Sequence, residues 1–271
     1  MNGELKRVLI TVKTYPNPSR KYTETVCVAG IDLDTGQWVR LYPIPYRDLD
    51  RSKKFRKYRI IEVRAKRAVD DKRPESYKVD RDSIRPLDYL DTGKDRTWSR
   101  RKSIILPTVD KSMCEILRKS ETEDKSLGMF KPHNVDFVIV KARSKDQKTR
   151  ESCYAQLSFF DKQKKAIERI PFDFRYKFFC HNEPLCKGHD YPIIDWEIGQ
   201  AYRDWRRKYK PQDLLLAKIK ERWLDRMCSI KNDVYFFVGN MKRLRQNFMV
   251  LGVFYPPKDK QEVGSNLGQK C

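Results

Sequence analysis

The sequence has few of the residues on which several large enzyme classes depend. Only 3 histidines and 11 glycines occur among its 271 residues. The glycines form neither the G-x-x-x-x-G-K pattern of a phosphate-binding loop nor the G-x-S-x-G pattern of a nucleophile elbow. The combination of H-x-E with a downstream C-x-x-C, the signature of zinc deaminases, is also missing. None of these three reaction classes is therefore indicated.

Long apolar segments are missing as well. No run of 18 apolar residues occurs, and the first residues, Met1 to Lys6, lead directly into a strand pattern. Neither a membrane-spanning helix nor a signal peptide is predicted. The 7 cysteines are odd in number and scattered along the chain, which fits a reducing compartment better than a disulfide framework. We expect a cytoplasmic protein.

Positive charge is the most abundant feature. Lys and Arg number 59 against 37 Asp and Glu, which gives a net charge of +22. Hydrophobic residues at 39% and aromatic residues at 12% are enough for a folded core. An excess of this size indicates a polyanionic partner, most plausibly nucleic acid, either DNA or RNA. An anionic membrane surface ranks lower because no basic amphipathic helix or lipidation motif occurs. A protein partner is a further possibility.

The first half of the chain has the pattern of a small barrel. Strands are predicted at Arg7–Lys13, Glu24–Ile31, Gln37–Pro43 and Tyr58–Ala65, with a turn at Asp34–Gly36 between the second and the third. Four strands with short connections favour a barrel over a β-α-β sheet. A short helix is predicted near Asp82–Tyr89.

The second half has a similar strand pattern interrupted by helices. Two elements are predicted before the second half. The first is a helix at Asp110–Lys119 with Asp110 as its cap, and the second is a polar linker at Glu121–Ser126. The predicted fold is α+β and mainly β: an OB-like barrel over residues 1–125, a second with a helical insertion and a Cys/His loop over 126–258, and a tail over 259–271. The predicted strands of the second half are Val135–Lys141, Cys153–Phe160, Arg169–Phe179, Val234–Gly239 and Phe248–Phe254. Its predicted helices are Asp195–Tyr209 and Asp213–Cys228.

A Cys/His loop lies within this second half. Cys180, Cys186 and His189 fall within ten residues, and Pro184 and Gly188 bend the backbone between them. Thiolate and imidazole groups at such spacing can hold Zn²⁺ tetrahedrally, in a structural site. His181 is the fourth ligand suggested by proximity, and a thiol from elsewhere, Cys228 or Cys153, is the alternative. A loop of buried thiols with a packed histidine would give the same pattern without metal.

Two further motifs carry a family resemblance. Val26–Gly30 followed by Gly36–Leu41 resembles the start of the dual OB-containing domain family of prokaryotic proteins. More broadly, Lys13–Pro16 and Cys186–His189 resemble the Lys-Thr-Tyr-Pro entry and the Cys-x-Gly-His knuckle of other prokaryotic proteins. The resemblance implies two OB barrels and a role in defence or nucleic-acid metabolism. It supplies no catalytic residues.

Basic and aromatic residues alternate in several stretches, and these are the candidate nucleic-acid contacts. Aromatic rings can stack on bases while arginine and lysine hold phosphates. Core packing of the aromatic rings and solvated charged faces are the alternative. The candidates are Trp38, Arg40, Tyr42, Arg47, Lys54, Arg56, Lys57, Arg100, Arg101, Arg206, Arg207, Lys242 and Arg243.

Two alternatives to a binding protein remain open. Glu62, after Asp48 and Asp50, faintly resembles the carboxylate array of a metal-dependent nuclease, and Asp195 with Glu197 is a second acidic pair near His189. Asp195 can equally be a helix cap. The other alternative is a non-enzymatic interaction subunit whose charge serves solubility.

Overall fold

The computed structural model describes residues 3–19, 23–142 and 170–258. The strand predicted at Cys153–Phe160 and the tail predicted at 259–271 lie outside these ranges. The described strands are β1 Glu4–Lys13, β2 Asn17–Ser19, β3 Thr23–Asp32, β4 Trp38–Ile44, β5 Arg59–Arg67, β6 Ser76–Val79, β7 Arg85–Tyr89, β8 Leu127–Phe130, β9 Pro132–Lys141, β10 Phe172–Cys180, β11 His189–Pro192, β12 Tyr235–Asn240 and β13 Phe248–Phe254. The helices are α1 Ser99–Ile105, α2 Met113–Thr122, α3 Trp196–Trp205 and α4 Gln212–Lys220, which continues into a π-helical turn, Glu221–Arg226.

A closed five-stranded barrel forms the first part of the chain. The strands follow the order β1-β3-β4-β6-β5, and β5 pairs with β1 to close the ring. The pairing between β4 and β6 is parallel, while the other four are antiparallel. In β5 the side chains of Ile61, Val63 and Ala65 point inward and alternate with polar residues, as expected for a strand with one solvated face. The four predicted strands of the first half are confirmed within this closed barrel, whereas its fifth strand, β6, was not predicted.

Two details of the first half differ from the sequence prediction. The segment predicted as a helix near 82–89 is a 3₁₀ turn, Arg81–Ser83, followed by strand β7. Pro86 lacks the N–H that an interior helical position needs, and the strand pairs with β5 instead. Helix α2 begins after Ser112, whose hydroxyl accepts from Glu115 N at 3.0 Å, so the cap is Ser112 and not Asp110.

The second part contains two three-stranded sheets, with strand orders β11-β10-β9 and β13-β12-β8. Aromatic side chains from both sheets, including Tyr176, Phe178 and Phe236, form a common core that α3 and α4 also contact. Over the described part of 126–258, these sheets do not close into a second barrel. The second barrel therefore stays a prediction.

The sheet of β8, β12 and β13 is buried on both faces. Phe236 and Val250 belong to the aromatic core of the second part, whereas Phe237, Leu251 and Phe254 belong to a different cluster shared with the barrel strands β1 and β3. Successive side chains of a strand point to opposite faces, so one sheet supplies both clusters. This sheet joins the two parts.

The segment Lys13–Pro16 lies at the same joint. Tyr15 N donates to Ile194 O at 2.7 Å, and the Lys13 ammonium lies 4.6 Å from the ring centre of Trp196. A Cβ atom at Gly199 of α3 would overlap the ring of Tyr15, so this close approach requires glycine. The motif noted in the sequence therefore connects the barrel to α3.

No helix in the described ranges is long and apolar enough to cross a membrane.

Candidate metal centre

Four side chains from two separate segments converge beside the second core. Cys180 ends β10, Cys186 lies in the following loop, His189 begins β11, and Cys114 lies in the first turn of α2. The antiparallel pairing of β10 with β11 places Phe178 opposite His189, and Gly188 with φ of 86° turns the chain into β11. The hairpin therefore supplies three donors and the helix supplies one.

The distances among the donors fit a tetrahedral metal ion. The Nε2 atom of His189 lies 3.4 Å from the Sγ atoms of Cys180 and Cys186 and 3.6 Å from that of Cys114. The Sγ atoms of Cys114 and Cys180 are 3.8 Å apart, and all four donors lie within 4.8 Å of one another. Zinc bonds of about 2.3 Å to sulfur and 2.0–2.1 Å to nitrogen, at tetrahedral angles, give about 3.6 Å between S and N and about 3.8 Å between two S atoms. The cluster can hold a metal ion as a Cys₃His set.

Groups around the cluster orient these donors. Tyr191 Oη lies 3.4 Å from His189 Nδ1, which leaves Nε2 directed at the thiols. The backbone N–H of Cys180 donates to Cys186 Sγ at 3.4 Å. Glu183 accepts from the Ser112 hydroxyl at 3.3 Å and so ties the loop to the start of α2. Hydrogen bonds of this kind around the ligands of a metal site fix ring orientation and stabilise thiolates.

Without a metal ion, the surroundings disfavour the thiolate form of Cys114 and Cys180 but favour that of Cys186. Burial and the neighbouring Cys180 thiol raise the pKa of Cys114 to about 12, and burial also raises the pKa of Cys180. Burial raises the pKa of Cys186 too, but the backbone N–H groups of Cys180 and Gly188 outweigh it and lower this pKa. Burial lowers the pKa of His189, which keeps the imidazole neutral and able to bind metal. A bound divalent cation deprotonates coordinating thiols outright, so metal binding releases protons.

The predicted fourth ligand, His181, needs correction. His181 is the first residue after the end of β10, and it does not belong to the group of donors around Cys180. The His181 side chain is exposed, and its ring lies 5.8 Å from that of His133. Cys228 does not belong to the donor group either, and its thiol donates to Trp223 O at 3.4 Å. Cys153 lies outside the described residues. The fourth donor is Cys114, which the sequence marks only by a thiol two residues after the Ser112 cap.

Three candidate nucleic-acid contacts are buried and already paired. Arg40 donates to Ser126 O at 2.9 Å, and Arg101 donates to Leu90 O at 2.8 Å and lies over the Tyr58 ring. Lys57 forms an ion pair of 2.5 Å with Asp195. Their assignment to a phosphate-binding surface is corrected, because buried, paired cations cannot reach a ligand on the surface. Trp38 is half-buried, with its ring 5.8 Å from that of Phe237 at the joint.

The remaining candidates are wholly or partly accessible. Arg56 covers the ring of Tyr89 at 3.6 Å, and Lys242 lies 3.2 Å from Asp70. Tyr42 and Lys242 line one cavity with the buried Arg40, so the structure brings these three together. Arg206 is half-buried, whereas the exposed candidates are Tyr42, Arg47, Lys54, Arg56, Arg100, Arg207, Lys242 and Arg243.

The carboxylates of the suggested nuclease site are not grouped as such a site requires. Glu62 is bound by Arg85 at 2.6 Å, and Asp195 is bound by Lys57 and accepts from Glu197 N at 3.0 Å as the cap of α3. Within the described ranges, the Cys₃His cluster is the group of His, Cys, Asp and Glu side chains that could hold a metal ion.

The fold and the site define a class of protein: a closed β-barrel joined to a second part that has an aromatic-rich core and carries a Cys₃His metal-ligand set. Two family models divide the chain in the same way. The family described as Domain of unknown function (DUF8758) matches residues 4–107, and the family described as Domain of unknown function (DUF8757) matches residues 109–268. The second match covers more than half of the chain, and the protein belongs to that family. No curated protein matches the chain.

Proposed function

We propose that this protein binds nucleic acid on one face of the barrel and that a structural Zn²⁺ ion stabilises its second part. The observation that carries the proposal is the combination of a net charge of +22 with a barrel of OB-like strand order. The five barrel strands in chain order are β1, β3, β4, β5 and β6. Around the ring they follow the order first, second, third, fifth, fourth, and the third and fifth of them, β4 and β6, are parallel. OB barrels bind oligonucleotides on the face of their second and third strands and the adjoining loops.

The corresponding face of this barrel carries a cavity. The second and third barrel strands are β3 and β4, and they contribute Cys27 and Tyr42 to its wall. The loop from β5 to β6 contributes Arg73, and β6 contributes Tyr77 and Lys78. Aromatic rings and cations on one concave surface supply the stacking and the phosphate contacts that single-stranded nucleic acid needs.

The metal-ligand set supports a structural ion. All four positions of a tetrahedral ion would be taken by protein side chains, whereas catalytic zinc keeps one position open for water or substrate. Soft thiolate and imidazole donors favour zinc over calcium or magnesium. The ion would join α2 to the β10–β11 hairpin.

The accessible cations set the first test. Fluorescently labelled single strands of about 12 nucleotides, titrated with the untagged full chain at several salt concentrations, should give log K falling linearly with log[salt], because phosphate contacts release counterions. Lys54→Gln, Arg243→Gln and the double variant should weaken binding of every sequence and reduce the slope by about 0.7 for each phosphate that is no longer neutralised. Lys220→Gln, at the exposed end of α4, is the matched control for loss of one positive charge.

Binding that does not respond to salt, or equal weakening by Lys220→Gln, would rule out a localised phosphate surface. The same assay with Mg²⁺ or Mn²⁺ added reports strand cleavage, which is expected only of a nuclease. Intact strands without binding at any salt concentration would instead favour the interaction subunit.

A further inference from the structure

A second cavity lies in the second part of the chain, beside the start of β9 and the end of β10. Its volume is about 360 Å³, within the range of about 300–1,000 Å³ that is usual for ligand sites. Four of the side chains that line it carry ammonium or imidazole groups: Lys131, His133, His181 and Lys258. None of the four is a donor of the metal centre or lines the cavity on the barrel face. The second cavity therefore gathers N–H groups that the two sites described above do not use.

Backbone hydrogen bonds hold the segments that carry these side chains in place. His181 N donates to Lys131 O at 3.4 Å, and the rings of His133 and His181 have their centres 5.8 Å apart. Lys258 N donates to Lys231 O at 3.0 Å, which fixes Lys258 beside the loop that follows the π-helical turn. The four side chains thus come from three segments that are hydrogen-bonded to one another or to the same loop.

A ligand in this cavity can reach the four side chains. His133 and His181 are exposed, and Lys258 is half-buried. The Lys131 side chain is 37% exposed. Their N–H groups are therefore available to a molecule that enters from solvent.

One carboxylate lies close to these cations, and it positions Lys131. The Asp233 carboxylate forms an ion pair of 2.6 Å with Lys131 and accepts from the Tyr235 hydroxyl at 2.6 Å. An ammonium group has three N–H donors, so this ion pair leaves donors of Lys131 for a ligand. Asp233 itself does not line the cavity, and no other Asp or Glu is among the described residues that do.

The electrostatic field at the cavity is positive. Desolvation is the largest cause that lowers the pKa of His181. The neighbouring positive groups lower it further and the Asp233 carboxylate raises it; the positive groups are Lys131, His133 and Lys258. Several cations therefore act on one point against a single carboxylate, which favours an anionic ligand.

The end of the π-helical turn does not oppose an anion there. Carbonyl oxygens at the end of a helix carry partial negative charge. The Asn232 side chain donates to Arg226 O at 2.8 Å and to Met227 O at 3.1 Å, so these two carbonyls already have a partner. Asn232 itself lines the cavity, which places an amide between them and the ligand space.

We infer that this cavity binds the terminal phosphate of a nucleotide, held by the ammonium groups of Lys131 and Lys258 and by the imidazole N–H groups of His133 and His181. A phosphate monoester carries nearly two negative charges and three acceptor oxygens. A phosphodiester inside a strand carries a single charge, so several converging donors match the terminal group better. Ile230, which is 83% exposed and lines the same cavity, offers apolar surface to the attached nucleoside.

This inference deepens the proposed function where the nucleotide is the end of a bound strand, and it is independent of that function where the nucleotide is free. Two arms of one experiment separate these sources. In the first, the full chain binds internally labelled strands of about 8 nucleotides, identical in sequence, that end in a 5′-phosphate, a 3′-phosphate or hydroxyl groups only. In the second, AMP, adenosine and inorganic phosphate are titrated by calorimetry.

We expect one phosphorylated end to raise strand affinity about tenfold, because hydrogen bonds to a charged group are strong. His133→Gln and Lys258→Gln should remove this advantage and leave the affinity of the hydroxyl-ended strand unchanged. Lys220→Gln, at the exposed end of α4, should keep the advantage. A preference for phosphorylated strands assigns the cavity to strand ends, and binding of AMP but not adenosine, without such a preference, assigns it to free mononucleotides.

Equal affinity for the three strands, with no binding of AMP or phosphate, would overturn the inference. The proposed function would still stand if that affinity fell in Lys54→Gln and Arg243→Gln. A preference for one phosphorylated end, with strand binding unchanged in these two variants, would do the reverse.

Photo-cross-linking gives a result that does not depend on any variant folding. The strand carries 4-thiouridine as the nucleotide next to the terminal phosphate. Cross-links to Val135, Ile230 or Lys258 support the inference, and cross-links confined to residues outside this cavity overturn it. A second metal ion per chain that is lost in His133→Gln would identify the two imidazoles as metal ligands and would also overturn it.

Discussion

Replacing Cys114 by serine is expected to remove the bound metal and to lower the free energy of unfolding by several kcal/mol. The protein purified without added metal should contain about one ion per chain, most of it absent from this variant. Cys114 is the donor that links α2 to a hairpin 66 and 75 residues further along the chain, at Cys180 and His189. Without the ion, the hairpin and the helix keep the contacts among the donor side chains, the hydrogen bond from Ser112 to Glu183 and the ion pair of Arg118 with Glu183.

The expected loss of stability depends on the packing that remains when the ion is absent. Structural Zn²⁺ supplies about 10–16 kcal/mol of binding free energy to zinc-finger peptides, which have almost no other core. Here Tyr176, Phe178 and Phe236 still pack together, so we expect a loss on the order of 3–5 kcal/mol. Elemental analysis gives the metal content, and thermal unfolding with and without a chelator gives the stability.

Two variants are matched controls for this prediction. His181→Ala removes the imidazole next to Cys180 in the sequence but outside the cluster, and Cys228→Ser alters a thiol that hydrogen-bonds to Trp223. Both should keep the ion. A full complement of metal in Cys114→Ser, or its loss in His181→Ala, would contradict the assigned ligand set. A folded, metal-free native protein that a chelator leaves unchanged would show a packed thiol cluster instead.

The second large effect is expected at the ion pair between the two parts. The side chains of Lys57 and Asp195 are only 6% and 3% exposed, and their charged atoms lie 2.5 Å apart. Burial raises the pKa of Asp195 to about 6, and the Lys57 charge opposes this rise. Removing one member of a buried pair leaves its partner poorly compensated, since Lys57 would keep only the half-exposed Glu197 carboxylate at 3.5 Å. Asp195→Ala should therefore cost about 3–5 kcal/mol.

A double-mutant cycle separates the pair from the helix cap. Asp195→Asn keeps an acceptor for Glu197 N but removes the charge, and Lys57→Met removes the buried ammonium. The double variant should be more stable than the sum of the single losses predicts. Glu62→Gln, which breaks the exposed pair with Arg85, should cost less than about 1 kcal/mol. Equal losses of unfolding free energy in the Glu62 and Asp195 variants would show that burial of the Lys57–Asp195 pair does not increase its contribution to stability.

The sequence predicted the parts of the fold that depend on local pattern. The strands around Val8, Val28, Leu41 and Ile61 form the barrel as expected, because alternation and turn residues are local signals. The Cys180, Cys186 and His189 trio was visible for the same reason, since all three lie within one loop.

Contacts between distant segments could not be predicted in this way. Cys114 completes the metal centre from another helix, and Arg40 and Lys57 are buried by partners 86 and 138 residues away, at Ser126 and Asp195. A positively charged residue in a sequence gives no sign of whether a carboxylate from another segment will cover it. The basic stretches therefore overestimate the exposed charge.

The sheet of β8, β12 and β13 also determines how the chain must unfold. Its barrel side carries Phe237, Leu251 and Phe254. These side chains would be exposed to water if the chain were divided between the two matched segments, at residues 107–109. Losing the barrel would therefore expose one whole face of this sheet to water. We expect the two matched segments to unfold in one cooperative transition, although a family boundary divides them in sequence.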